Sequence, residues 1–229
     1  MTPTIITDRN IMFSRPMNKD YDLNIGLIFG EKNNYIIDTG AGGADVAPVL
    51  TYIVGSTKPI IVVNTHCHWD HIFGNHVFDG NLIIAHTSCP DMIPAGEEWD
   101  EAIRQLSGRL AGDVRRCPPN LTFEDRLHFP EDGITIFHTP GHSRDCISVY
   151  DAVDKVLYAG DNIGDTVDEI VPWIDTDLET FRQMIETYKS YNFDICICGH
   201  NKPHTKAVLA RMENALPAAW EKQQCSREG

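Results

Sequence analysis

Eight short runs of apolar and β-branched residues recur along this 229-residue chain, at positions 24–30, 35–38, 60–64, 82–86, 134–139, 146–151, 155–161 and 194–200. Each has the length and composition of a strand. Apolar patterns of helical period lie among them at 44–54, 97–110, 178–191 and 205–223, the last kinked or broken near Pro217. That order predicts an α/β protein. The strand ends constrain it further. Asp38, His66, His142, Asp161 and His200 all stand at or just beyond a predicted strand, so the fold is expected to gather chemistry on the loops of one rim.

No repeat, low-complexity tract or linker divides the sequence, and a single domain over 1–229 is expected. The stretch at about 88–120 lacks strand character and reads as an insertion over the core. Its helix carries an apolar stripe of Trp99, Ile103, Leu106 and Leu110, which must bury against the body or a second copy of the chain. A lid and a homo-oligomer interface are both open.

Composition narrows the partners. With 19 basic and 33 acidic residues the net charge is −14, which disfavours nucleic acid. The first ten residues lack the basic and hydrophobic regions of a secretory signal, and no apolar run reaches the length of a bilayer span. Seven cysteines cannot all pair within one chain, and a domain of this size needs no disulfide framework, so reduced thiols and a cytoplasmic location are expected. Cys196 and Cys198 alternate within an apolar run and are expected on one face of a strand as small hydrophobes.

The decisive segment is Thr65–His71, directly after the run at 60–64. His66, His68, Asp70 and His71 place four metal-binding side chains within six residues, of the imidazole and carboxylate types that suit zinc, iron or manganese. Three more ligand-type residues, His142, Asp161 and His200, each follow a glycine near the end of another apolar run. Glycine lets a backbone approach a site closely. Five histidines and two aspartates suffice for two divalent ions sharing a carboxylate.

These residues resemble the metallo-β-lactamase superfamily, whose motif H-x-H-x-D-H stands here as His66, His68, Asp70 and His71, with His142, Asp161 and His200 following in the matching order. The resemblance implies a four-layered αβ/βα sandwich. It implies one metal on His66, His68 and His142, a second on Asp70, His71 and His200, and Asp161 between them. Asp38, in an Asp-Thr-Gly motif at 38–40, becomes a carboxylate that orients a ligand without binding metal.

The expected activity is that of a dinuclear metal-dependent hydrolase, probing an ester, thioester, lactone or related bond of a small molecule with hydroxide shared by two ions, zinc first among them. Asp70 is the expected catalytic carboxylate, and Arg144, Lys202 and Trp173 are candidate substrate contacts. The alternative is a mononuclear iron dioxygenase of the persulfide-oxidising type, binding iron through His66, His142 and Asp161 alone. Only 29 residues follow His200, so the helical extension of glyoxalase II is expected to be absent or reduced. Lactone-hydrolysing relatives carry a tyrosine shortly after the bridging aspartate, where Asn162 and Ile163 stand here. Replacing the insertion with a short connection is expected to change substrate choice and spare the metal content.

Overall fold

The computed structural model describes residues 1–19, 21–164 and 169–227. The first sheet runs in chain order through β1 (Thr2–Ile5), β2 (Asn10–Pro16), β3 (Asp22–Phe29), β4 (Asn34–Ile37), β5 (Ile60–Val63), β6 (Leu82–His86) and β7 (Leu121–Phe123). The second comprises β8 (Arg126–Phe129), β9 (Ile134–His138), β10 (Ile147–Asp151), β11 (Val156–Gly160), β12 (Ile195–Cys198) and β13 (His204–Thr205), ordered β13-β12-β11-β10-β9-β8. The α-helices are α1 (Gly43–Ile53), α2 (Trp69–Ile72), α3 (Cys89–Met92), α4 (Glu97–Leu106), α5 (Leu178–Ser190) and α6 (Val208–Arg227).

Period-two alternation decides the layers. Tyr35, Ile37, Ile61, Val63 and Ile84 turn inward and meet Ile136, Val149, Val156, Tyr158 and Ile197 of the second sheet. Their neighbours Ile36, Val62 and Ile83 face outward into a core with Val46, Val49 and Ile53 of α1. On the far side Phe137, Leu157, Ala159, Cys196 and Cys198 pack with residues of α5 and α6. Helix, sheet, sheet and helices give the four-layered αβ/βα sandwich. Cys196 and Cys198 share one buried face, and all seven cysteines are free. No helix among the described residues is long and apolar enough to cross a membrane.

Some elements escape the sequence pattern. β1 exposes all four residues and exists through its pairing with β2, while β8 alternates polar and apolar residues over only four positions, too short a run to stand out. α4 ends at Leu106, short of Leu110. α6 passes through Pro217 without interruption, and the exposed ring there costs the helix one backbone hydrogen bond.

The insertion is fastened to the body. Trp99, Ile103, Leu106 and Leu110 pack with Ile72 and Phe73, the Trp99 and Phe73 rings lying 4.9 Å apart. Ala111 donates to Ala41 O (3.1 Å) and its own carbonyl accepts from Ala44 N (2.9 Å), joining the insertion to the start of α1. The stripe therefore forms a wall beneath α2.

Candidate metal centre

Strand ends deliver the candidate ligands to one edge of the sandwich. The chain leaves β5 through Asn64 and Thr65 into the turn that carries His66 and His68, and α2 then presents Asp70 and His71. His142 sits between β9 and β10, Asp161 follows β11 and His200 follows β12. Two glycines make the approach possible. Gly160 has φ +54°, and a Cβ at Gly199 would collide with the Asp161 carboxylate and the His71 ring.

His66, His68, His142 and Asp161 bring one nitrogen or oxygen each within 4.8 Å of one another, and so do Asp70, His71 and His200. One oxygen ties the groups together: Asp161 Oδ2 lies 3.6 Å from His66 Nε2, 3.9 Å from His142 Nε2, 3.3 Å from His71 Nε2 and 3.2 Å from His200 Nε2. Asp70 divides its oxygens, Oδ1 at 3.8 Å from His71 Nε2 and Oδ2 at 3.6 Å from His200 Nε2. His68 turns Nδ1 toward His66 Nε2 (2.9 Å) and His142 Nε2 (3.1 Å).

The far nitrogens of four rings are held by acceptors, which fixes their tautomers. His71 Nδ1 donates to Asp38 Oδ2 (2.8 Å), His142 Nδ1 to Trp173 O (2.8 Å) and His200 Nδ1 to Asp22 O (2.9 Å). Thr65 Oγ1 gives its proton to Asp38 Oδ2 (2.8 Å) and so accepts from His66 Nδ1 (3.2 Å). In the neutral rings every Nε2 is then a lone pair aimed at a buried carboxylate. His71 Nε2 and Asp161 Oδ1 are buried with no hydrogen-bond partner among the described residues. Lone pairs facing a carboxylate at this range repel unless positive charge lies between them, and divalent cations with imidazole and carboxylate preference fit this donor set.

The same negative density attracts protons. Burial opposes protonation of His71, yet Asp161, Asp38 and Asp70 outweigh it and raise its pKa well above the ordinary value. His200 is likewise opposed by burial and pushed up by Asp161, to about 9. Burial acts against the Asp161 carboxylate, but His200, His71 and His66 hold its pKa well below the usual range. His66 and His68 go the other way, lowered by burial and then by neighbouring rings.

The remaining sequence candidates sit at the rim. Asp38 touches Thr65 and His71, as a ligand-orienting carboxylate should, in a left-handed backbone conformation with φ +63°. Arg144 is exposed two residues past His142, its Nε against Met92 Sδ (3.3 Å), and Lys202 is exposed two residues past His200. Trp173 reaches the centre through its carbonyl rather than its ring, which lies under Arg227. Sequence reasoning missed the carbonyls of Asp22 and Trp173, for which no residue-type signal exists. It also missed Asp145, fully buried, which accepts from Ser143 Oγ (2.6 Å) and faces the Cys67 and Cys89 thiols.

Known proteins agree with this geometry. The profile of the Metallo-beta-lactamase superfamily matches residues 20–200. The acyl-coenzyme A thioesterase MBLAC2 of Homo sapiens is 27% identical over 175 residues, 66% of this chain and 61% of that protein. Glyoxylase B2 of Dictyostelium discoideum is 25% identical over 136 residues, 58% of this chain and 45% of that protein. The chain thus spans about three-fifths of the length of the MBLAC2 relatives it matches. Among solved structures, TMB-1 superposes with a TM-score of 0.73 at 15% identity, covering 95% of this chain and 97% of that one. A metallo-beta-lactamase from Pontibacter korlensis gives 0.71 at 18% identity, covering 94% and 98%. A profile match across most of the sequence, on a sandwich of the same architecture with the histidine and aspartate motif at its edge, shows that the chain belongs to the metallo-β-lactamase superfamily.

Proposed function

We propose that this chain is a dinuclear metal-dependent hydrolase acting on an ester, thioester, lactone or related bond of a small molecule, with thioesters the first class to test because MBLAC2 relatives are named for that activity. The observation that carries the proposal is the convergence of four Nε2 atoms on Asp161 Oδ2 at 3.2 to 3.9 Å. His66, His68 and His142 would hold one cation, Asp70, His71 and His200 the other, and Asp161 would face both. Zinc suits the donors best, with iron and manganese as alternatives. Divalent cations in such a site acidify water toward neutral pH and withdraw electron density from a carbonyl oxygen.

The protein's own part is orientation and proton handling. Asp70, with an oxygen toward each of His71 and His200, is placed to orient the attacking water and to carry its proton to the leaving group. The Asp38, Trp173 and Asp22 acceptors keep three rings in one tautomer throughout. Elemental analysis of protein purified without added metal, followed by a panel of ester, thioester, lactone and phosphodiester substrates, tests the proposal. Two divalent ions per chain with hydrolysis of one class is the expected result. A single iron per chain with oxygen-dependent turnover would overturn it in favour of the dioxygenase.

A further inference from the structure

The segment Pro172–Thr176 is clasped between the His142 loop and the end of α6. Toward the centre, Trp173 O accepts from His142 Nδ1 (2.8 Å), Asp175 N donates to His142 O (3.1 Å) and Thr176 Oγ1 donates to Gly141 O (2.8 Å). Toward the helix, the Gln223 amide is engaged at both ends. Its Oε1 accepts from Ile174 N (3.0 Å) and its Nε2 donates to Pro172 O (2.8 Å). Arg227, one turn further on, donates to Ile174 O. Gln223 is only 8% exposed, an uncommon burial for this residue type in the final turns of a surface helix.

Trp173 C=O and Ile174 N–H belong to one peptide plane and point to opposite sides of it. Gln223 holds one edge of that plane and His142 the other. The hydrogen bonds form an unbroken line from the Gln223 amide through the 173–174 peptide to the His142 ring, and each bond in such a line strengthens its neighbour. A shift of the plane would turn the imidazole with it. We propose that Gln223 is a positioning residue for His142, acting through this peptide to set the ring's direction and basicity although it lies outside the centre. The proposal rests on the reading of His142 as a cation ligand.

The test uses Gln223→Met, which conserves volume and removes both hydrogen bonds, and Gln223→Glu, which keeps the acceptor for Ile174 N–H. Leu209→Ala serves as a control, since Leu209 is buried in the same helix and has no hydrogen bond to the segment. Zinc affinity and stoichiometry are read by competition with a chromophoric chelator, melting temperature in parallel, and kcat and KM on whichever substrate the panel identifies. In Gln223→Met one of the two zinc ions should bind about 10- to 100-fold more weakly, the other unchanged, with kcat falling at constant KM. Gln223→Glu should recover part of that affinity, since it keeps the acceptor for Ile174 N–H but loses the donor to Pro172 O, and Leu209→Ala should lose melting temperature alone. Unchanged zinc binding in Gln223→Met, equal weakening in Leu209→Ala, or a Glu variant as weak as the Met variant would each overturn the proposal. If Gln223→Met does not fold, Gln223→Ala, which also removes both hydrogen bonds and adds no bulk, is read by the same measurements and the same outcomes. Wild-type protein that binds no divalent ion would defeat the functional reading itself, whereas two ions bound equally well by wild type and variants would defeat only the role of Gln223.

Discussion

The two sides of the candidate centre are built by different means. On the first-sheet side His66, His68, Asp70 and His71 come from six consecutive residues, and side chains brace them: Asp38 takes Thr65 N (2.7 Å), Thr65 Oγ1 (2.8 Å) and His71 Nδ1 (2.8 Å). On the second-sheet side His142, Asp161 and His200 come from three separate loops, and the two histidines are braced by main-chain carbonyls of Trp173 and Asp22. A side-chain brace can be deleted by one substitution. A carbonyl brace cannot, so that side is vulnerable through the placement of backbone.

Asp161 belongs to both sides, and its loss should have the largest effect. Asp161→Ala removes the one oxygen facing all four Nε2 atoms, and it should lower metal content and abolish hydrolysis. Near-native turnover with both ions bound would show that the two sides work independently.

A paired substitution examines the contrast directly. Asp38→Asn keeps an acceptor and tolerates the left-handed backbone but removes the charge beside His71, and it should cost about 10- to 100-fold in metal affinity. Asp22→Ala leaves the carbonyl that holds His200 and should change affinity by less than about threefold. Equal losses in the two would erase the distinction between side-chain and main-chain bracing.

The insertion packs mainly beneath the first side, against Ile72 and Phe73. Trp99→Ala removes the ring packed at a tilt against Phe73 beneath α2 and should cost about 2 kcal/mol of stability, below the range for a fully buried aromatic because Trp99 is half-buried. Thermal unfolding checks this. Because the stripe packs on the ligand-bearing turn, replacing the whole insertion should also weaken metal binding, contrary to the expectation from sequence that it would alter substrate choice alone.

The smallest effect concerns the seam between the sheets. His86 ends β6 and His138 ends β9, and their rings stack with centroids 3.8 Å apart. Burial and then His138 lower the His86 pKa below the ordinary histidine value, while the Glu124 backbone and the Asp145 and Glu124 charges oppose the shift. Folding therefore favours the neutral ring. Its contribution is complete above the ordinary histidine value and is lost as pH falls through it toward the folded pKa. Because His71 and His200 titrate in the opposite sense, the His86 share is read as a difference: acidification from about pH 7 to pH 5 should lower the melting temperature of the wild type slightly relative to that of His138→Phe. An unaltered profile in the variant would remove the His86 share.

Much of this was legible beforehand. The alternating runs placed nearly all the central strands, and the cluster at His66–His71 announced the chemistry because metal donors are a restricted set of side chains at short spacing. Asp38 was legible too, as a carboxylate at a strand end. The two carbonyl braces and the Gln223 clasp were not, since every residue carries a carbonyl and a buried glutamine has no distinguishing neighbourhood in sequence. Trp173 shows the limit well: its ring drew attention, and its backbone does the bracing.

The amino-acid sequence by itself determined the candidate donor set and the rim of strand ends on which it gathers, because period two and ligand chemistry act over a few residues, while the order of the layers came from the family resemblance. Only the tertiary structure decided that Asp161 Oδ2 is shared by four rings, that the insertion is a wall beneath α2, and that α6 reaches back to His142. Those relations join residues tens of positions apart through packing and main-chain hydrogen bonds, to which almost any side chain could have led.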